Sequence, residues 1–238
     1  MKKFIGTFTA CGNMGTADSQ TQQTEMTDSA EDTETSDKDA PAETEKKEEM
    51  GEKVLVAYFA YSENMGDTSG MEVDAITSAS LNQDTNNTDG NLQVMAQVLQ
   101  EKTSADIFHI LMAEPYDSDY STMLPVATEQ IENEEWPALQ EKIENLDEYD
   151  VVYLGTPVWN AELPPAMHTF FAENDLSGKT IIPFGIHLGS RFGRIIDQME
   201  ELAPGATIMD GFTISASTEN DKVKSEFSAW LDGQVEQK

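Results

Sequence analysis

Two short segments carry the residue types that can hold a flat, conjugated ring. The first is Thr156-Pro157-Val158-Trp159-Asn160. The second, a helix-length segment further on, is Gly185-Ile186-His187-Leu188-Gly189-Ser190-Arg191. A tryptophan can cover the face of a planar ring. Neither segment supplies a paired acid and base or an activated nucleophile, so what they suggest is the binding of a flat ring. Each follows an apolar run, residues 150–155 and 179–184. Two such runs joined by one helix-length segment predict a parallel β-α-β unit. In sheets of that kind ligands bind beyond the carboxyl ends of the strands, where both segments fall.

The strands and helices that carry these two segments are legible along the chain. Val54-Leu55-Val56-Ala57-Tyr58-Phe59 is a continuous apolar run, as expected of a strand covered on both faces. Further strands are predicted over 105–111, 150–155, 179–184 and 206–214. Helical spacing is read over 91–99, where Leu92, Met95, Ala96 and Leu99 share a face. It recurs over 126–131 and 139–146, with Pro137 at a helix start, then over 167–172 after Pro164-Pro165. The last two helices are expected over 191–202 and 218–231, the final one capped at Ser217 or Thr218. Strands alternating with helices predict an α/β fold: a doubly wound, five-stranded parallel sheet with helices on both faces.

Missing motifs exclude several chemistries. The chain has no GxxxxGK[ST], no GxGxxG after the first strand and no GxSxG elbow. A phospho-receiver would need acids after the first strand and an aspartate after the third. Those positions hold Tyr58-Phe59-Ala60 and Thr156-Pro157. The single cysteine, Cys11, rules out an internal disulfide and a Cys-rich metal or iron–sulfur site. His109, His168 and His187 lack zinc-site spacing, so no metal ligands are assigned. A formal charge of −31 argues against nucleic acid or an anionic membrane surface as partner.

Residues 53–216 resemble the flavodoxins, in a branch with a long insertion after the first strand. The resemblance rests on the first strand, Val73-Asp74-Ala75-Ile76-Thr77-Ser78-Ala79-Ser80, Gly90-Asn91, Tyr149 to Trp159, Ser177 to Phe184, and Gly185 to Gly193. It implies strand order 2-1-3-4-5 and a bound FMN. By resemblance, Ser62, Thr88, Gly90 and Asn91 would cradle the phosphate. The ring would lie between Thr156, Pro157, Val158, Trp159 and Asn160 on one side and His187, Gly189 and Ser190 on the other. The chain departs from the family where Leu92 follows Gly90-Asn91, where Asn160 and Ala161 replace Trp-Gly, and where Leu188 and Arg191 replace glycines. Arg191 would either stabilise negative charge on a reduced flavin or form a surface ion pair. His187 is expected to be a polar loop group rather than a catalyst.

The resemblance implies electron transfer with a redox partner protein or a small electron donor or acceptor. Surrounding acids would lower the potential by repelling negative charge on the reduced ring. Two alternatives stand beside it. One is an FMN-dependent NAD(P)H or quinone reductase. The other is a flavin-free interaction module that keeps only the fold.

The amino-terminal part reads differently. Residues 1–11, Met-Lys-Lys through Ala10-Cys11, resemble a lipoprotein signal whose cysteine takes the lipid; the alternative is a frayed end with an incidental thiol. Residues 12–52 contain no Val, Ile, Leu, Phe, Trp or Tyr and thirteen acids against three lysines. Such a segment cannot offset its ordering entropy and is expected to be a disordered tether. The folded domain is expected over 53–238, with 63–89 an inserted loop that serves as a lid, a docking loop or a mobile excursion. On this reading the protein is an extracytoplasmic, membrane-anchored lipoprotein whose only membrane contact is a lipid on Cys11; otherwise it is cytoplasmic.

Overall fold

Strand β1 (Val54–Tyr58) lies at the centre of a parallel sheet, between β2 (Asp106–His109) and β3 (Val151–Pro157). The computed structural model describes residues 52–66 and 90–235. Cys11, the acidic segment 12–51, and most of the inserted stretch with Thr88 lie outside the described residues. Beyond β3 come β4 (Thr180–His187) and a short β5 (Thr207–Ile208), giving the order β2-β1-β3-β4-β5. All pairings are parallel, as the sequence predicts.

The strand expected over 206–214 is two strands. β5 pairs with the start of β4 and β6 (Phe212–Ser215) with its end, so the sheet has six strands in five positions. The cause lies in β4. The carbonyls of Lys179 and Ile181 accept from the amides of Thr207 and Met209. By the two-residue period of a strand, Pro183 faces the same edge, and proline has no N–H to give. The ladder breaks opposite it.

Helices cover both faces. Helix α1 (Asn91–Thr103) and α5 (Asn220–Val235) pack on one. There Leu92, Met95, Leu99, Val223 and Phe227 meet Val56, Tyr58 and Phe184. Helices α2 (Tyr120–Asn133), α3 (Pro165–Glu173) and α4 (Ile195–Leu202) cover the other. There Met123, Met167, Phe170 and Met199 meet Leu55, Ala57, Phe59 and Leu154. The alternation of Leu55, Ala57 and Phe59 with Val56 and Tyr58 sorts β1 onto two cores, which is what a doubly wound sheet requires.

Three boundaries differ from expectation. No α-helix forms over 139–146. Its start pairs with 111–113, Leu139 bridging Met112 and the Gln140 amide donating to the Leu111 carbonyl; the rest is loop and turn leading into a single 3-10 turn, Leu146–Glu148. Leu139, Ile143 and Leu146 still reach the core, so their spacing reflects burial and not a helix. Pro137 accordingly starts no helix; its carbonyl accepts from Thr169 Oγ1. The turn Arg191–Arg194 precedes α4 rather than belonging to it, because Arg191 and Gly193 take left-handed backbone angles. The last helix starts at Asn220, so neither Ser217 nor Thr218 is its cap.

Gly155 permits the close packing of strands β1, β3 and β4. A Cβ there would sit 2.4 Å from the Phe184 ring and 2.6 Å from the Tyr58 Cβ. Any side chain would push apart the strands that carry the loops described next.

Candidate functional site

The chain leaves β1 toward β2 on one side and later returns to β3 on the other. The loops after β1 and β3 therefore diverge and open a crevice at the carboxyl ends of the strands.

After β1 the chain turns through Tyr61–Glu63. The turn is fixed by Asn64, which is buried. Its amide nitrogen donates to the carbonyls of Ala60 and Ile110, and its oxygen accepts from the Met112 amide at 2.6 Å. Facing the turn is the amino end of α1. There the Gly90 N–H donates to Gln93 Oε1 at 2.6 Å. The Ser62 hydroxyl donates to the same oxygen at 3.3 Å. Two donors, one from each side of the inserted loop, thus converge on one acceptor position beside a helix amino terminus, where an anion is favoured.

Asn91 has a different task. Its amide donates to the carbonyls of Ala216 and Thr218 at 3.1 Å each. This pins the loop after β6 against the same helix end.

The side chains behind this cradle carry no motif. Glu63 Oε1 lies within hydrogen-bond distance of the Tyr58 hydroxyl at 3.0 Å, Gln93 Nε2 at 3.0 Å and His109 Nδ1 at 2.9 Å. His109 Nδ1 is also 3.0 Å from the Tyr58 hydroxyl. Glu63 Oε2 is buried with no hydrogen-bond partner. Only two signals point here: Gln93 stands three residues after Gly90, the spacing of a helix-capping glutamine, and the β1–β2 register sets Tyr58 beside His109.

The loop after β3 is a tight hairpin. The backbones of Trp159 and Glu162 exchange hydrogen bonds at 3.1 and 2.8 Å. Asn160 and Ala161 between them both take positive φ, 50° and 65°, as the primed two-residue turns require. Thr156 is buried, its hydroxyl bonded to the Pro157 carbonyl, and the Val158 amide donates to Ile186. Trp159 is 8% exposed and packs edge-on against Phe59, Tyr61 and Tyr116, with centroids 5.8, 6.0 and 5.8 Å away. It anchors the hairpin to the core; Asn160 is exposed at the tip.

The loop after β4 is open. Leu188, Gly189, Ser190 and Arg191 are all exposed, Leu188 by 62%. His187 Nδ1 accepts from the Gly189 N–H at 2.9 Å, which places the proton of the neutral ring on Nε2. Burial first, and then the Arg191 cation, push the His187 pKa below the usual histidine value. The Ser190 hydroxyl bonds to the Arg191 carbonyl. The loop is clasped to the β3 hairpin: the Arg194 amide donates to the Ala161 carbonyl at 2.7 Å, and Arg194 pairs with Glu162 at 2.6 Å. Gly193, at φ 55°, lies so close that a Cβ would sit 2.4 Å from that same carbonyl.

Ser62 and Gly90 therefore meet at one end of the crevice, and the 156–160 and 187–190 loops lie side by side at the other. Thr88 lies outside the described residues.

The family model described as flavodoxin matches residues 85–232. No curated protein matches the chain. Among solved structures, a candidate flavoprotein from Bacteroides eggerthii is 25% identical, with a TM-score of 0.52, covering 76% of this chain and 97% of its own. A second candidate flavoprotein, from Bacteroides uniformis, is 22% identical with a TM-score of 0.52, covering 76% and 99%. A flavoprotein in complex with FMN from Lactobacillus acidophilus is 16% identical with a TM-score of 0.49, covering 75% and 99%. With its sheet order and more than half of its length matched by the family model, the chain belongs to the flavodoxin family.

Proposed function

We propose that this flavodoxin-family chain binds FMN at the carboxyl ends of β1, β3 and β4 and transfers electrons, one or two at a time, between a redox partner protein or small donor and an acceptor. The observation that carries the reading is the convergence of the Ser62 hydroxyl and the Gly90 N–H on a single oxygen position at the start of α1. Gln93 Oε1 fills that position. A phosphate oxygen can take it once the Gln93 side chain turns away, and no cationic side chain is then required. The clasped loops 156–160 and 187–190 would flank the ring, and the exposed Leu188 would lie along it.

When bound, FMN supplies the redox chemistry; the protein's residues bind, orient and tune it. With its Nδ1 held by the Gly189 N–H, His187 would offer its Nε2–H as a donor to the ring. Because Trp159 is packed among Phe59, Tyr61 and Tyr116, the proposed ring contacts fall to backbone and to Leu188. Lysine and arginine are scarce near these loops, which gives the 2′-phosphate of NADPH few partners and favours a carrier over a reductase.

The proposal extends to placement: a lipid on Cys11 would hold the domain at a bacterial cell surface through the acidic segment 12–52. The test is to mix the full chain with FMN, desalt it and record the visible spectrum. A retained yellow chromophore with shifted bands is expected, and no oxidation of added NADH or NADPH. A colourless chain, folded by circular dichroism and unable to quench FMN fluorescence, overturns the reading in favour of the flavin-free module.

A further inference from the structure

Glu63 is the one side chain of the cradle that does not suit a phosphate. Its Oε1 gathers the Tyr58 hydroxyl, the Gln93 amide nitrogen and His109 Nδ1. The Gln93 side chain then spans from Glu63 to the Gly90 and Ser62 donors. The carboxyl thus lies one side-chain amide away from the position a phosphate oxygen would take. Its second oxygen, Oε2, is buried and bonded to nothing. A buried oxygen left without a donor is costly. A phosphate brought to its neighbour would add repulsion between two anions in a site only partly screened by water. The only titratable groups among the described residues that face Glu63 are Tyr58 from β1 and His109 from β2. His109 is half exposed at the rim and is the one group there able to carry positive charge.

We infer that Glu63 is a specificity-determining residue that cancels the advantage of a phosphorylated flavin, so that the phosphate of FMN adds little to affinity and riboflavin binds comparably. The inference rests on the proposal that a flavin binds at these strand ends. It assigns the binding free energy to the ring and ribityl contacts. It also makes the charge at position 63, rather than a missing hydroxyl at Leu92, the reason the phosphate is weakly held.

The test is flavin fluorescence quenching with the full chain, titrated with FMN and with riboflavin, for the natural protein and for Glu63→Gln. The amide keeps an acceptor for the Tyr58 hydroxyl while removing the charge. In the natural protein the two dissociation constants are expected to agree within about threefold. In Glu63→Gln, FMN should tighten about tenfold, the size of one modest charge–charge contact, while riboflavin stays within about twofold. A natural protein that binds FMN tenfold or more tighter than riboflavin overturns the inference without reference to the variant. So does a substitution that moves both flavins equally or neither. Failure of both proteins to bind either flavin overturns the FMN proposal itself, and this inference with it.

Discussion

Asn64 does more to hold the β1 loop than any motif residue. It satisfies three backbone groups, two carbonyls and one amide, on two different segments. Replacing it by leucine of similar volume would strand the Ile110 carbonyl and the Met112 amide, while the Ala60 carbonyl keeps the Glu63 N–H. At about 1 kcal/mol or more for each of the two stranded groups, Asn64→Leu should cost about 2 kcal/mol, read as a lowered denaturation midpoint with unchanged slope. An exposed polar substitution such as Asn160→Ser should move the midpoint by less than about 0.5 kcal/mol. At this scale the sequence revealed the residues that are local signals. Ser62 follows a strand and Gly90 opens a helix, and the two do meet at Gln93. It did not reveal Glu63, which on sequence alone is the first residue of a polar insertion. Its partners Tyr58, Gln93 and His109 are gathered by tertiary packing of β1, α1 and β2. Trp159 shows the same limit from the other side. Its position was legible, but its burial among Phe59, Tyr61 and Tyr116 depends on rings brought in from β1 and the segment before α2.

Strands proved easier to read than helices, for a physical reason. The strands of a sheet covered on both faces are unbroken apolar runs, so β1, β3 and β4 appear where expected. Where the pattern misled, a long-range contact overrode it: 138–140 pair with 111–113, and Pro183 interrupts the edge strand from across the ladder. Helix α2 holds a conflict between sequence and structure that the fold tolerates. It is capped by Asp119, whose carboxylate accepts from the Ser121 amide at 2.8 Å, yet it carries Pro125 at its sixth position. A proline there cannot donate to the Ser121 carbonyl one turn earlier. Pro125 is exposed, so a substitution disturbs no core packing. Pro125→Ala should therefore stabilise the chain by about 1–2 kcal/mol, the gain of a helical hydrogen bond reduced by the greater entropy of the unfolded chain. A higher denaturation midpoint is the expected result; an unchanged or lower one would mean that the proline holds a bend the α2–α3 packing needs.

Charge acts on the whole molecule. Residues 53–238 hold 32 acidic and 9 basic residues, so at most nine carboxylates there can each have a lysine or arginine of their own. Several of those nine are already committed. Lys53 pairs with Glu148, Arg194 with Glu162, Lys102 with Asp232, and the Lys179 ammonium is spent on the Tyr149 carbonyl. These exposed pairs contribute little to stability one by one. The remaining carboxylates repel one another more strongly in the folded domain than in the expanded unfolded chain, so the net charge of −23 opposes folding. Salt weakens that repulsion: the screening length falls from about 30 Å at 0.01 M to about 8 Å at 0.15 M, shorter than the domain is wide. Raising sodium chloride between those limits should therefore stabilise the chain by about 1 kcal/mol, raising its melting temperature by roughly 2–4 °C. A domain held together mainly by its surface ion pairs would respond the other way and melt lower in salt. The direction of the shift, read in one thermal scan at each ionic strength, separates a fold that rests on its two apolar cores and carries its charge as a burden from one that depends on that charge. The first is what the packing of α1 and α5 on one face, and α2, α3 and α4 on the other, requires.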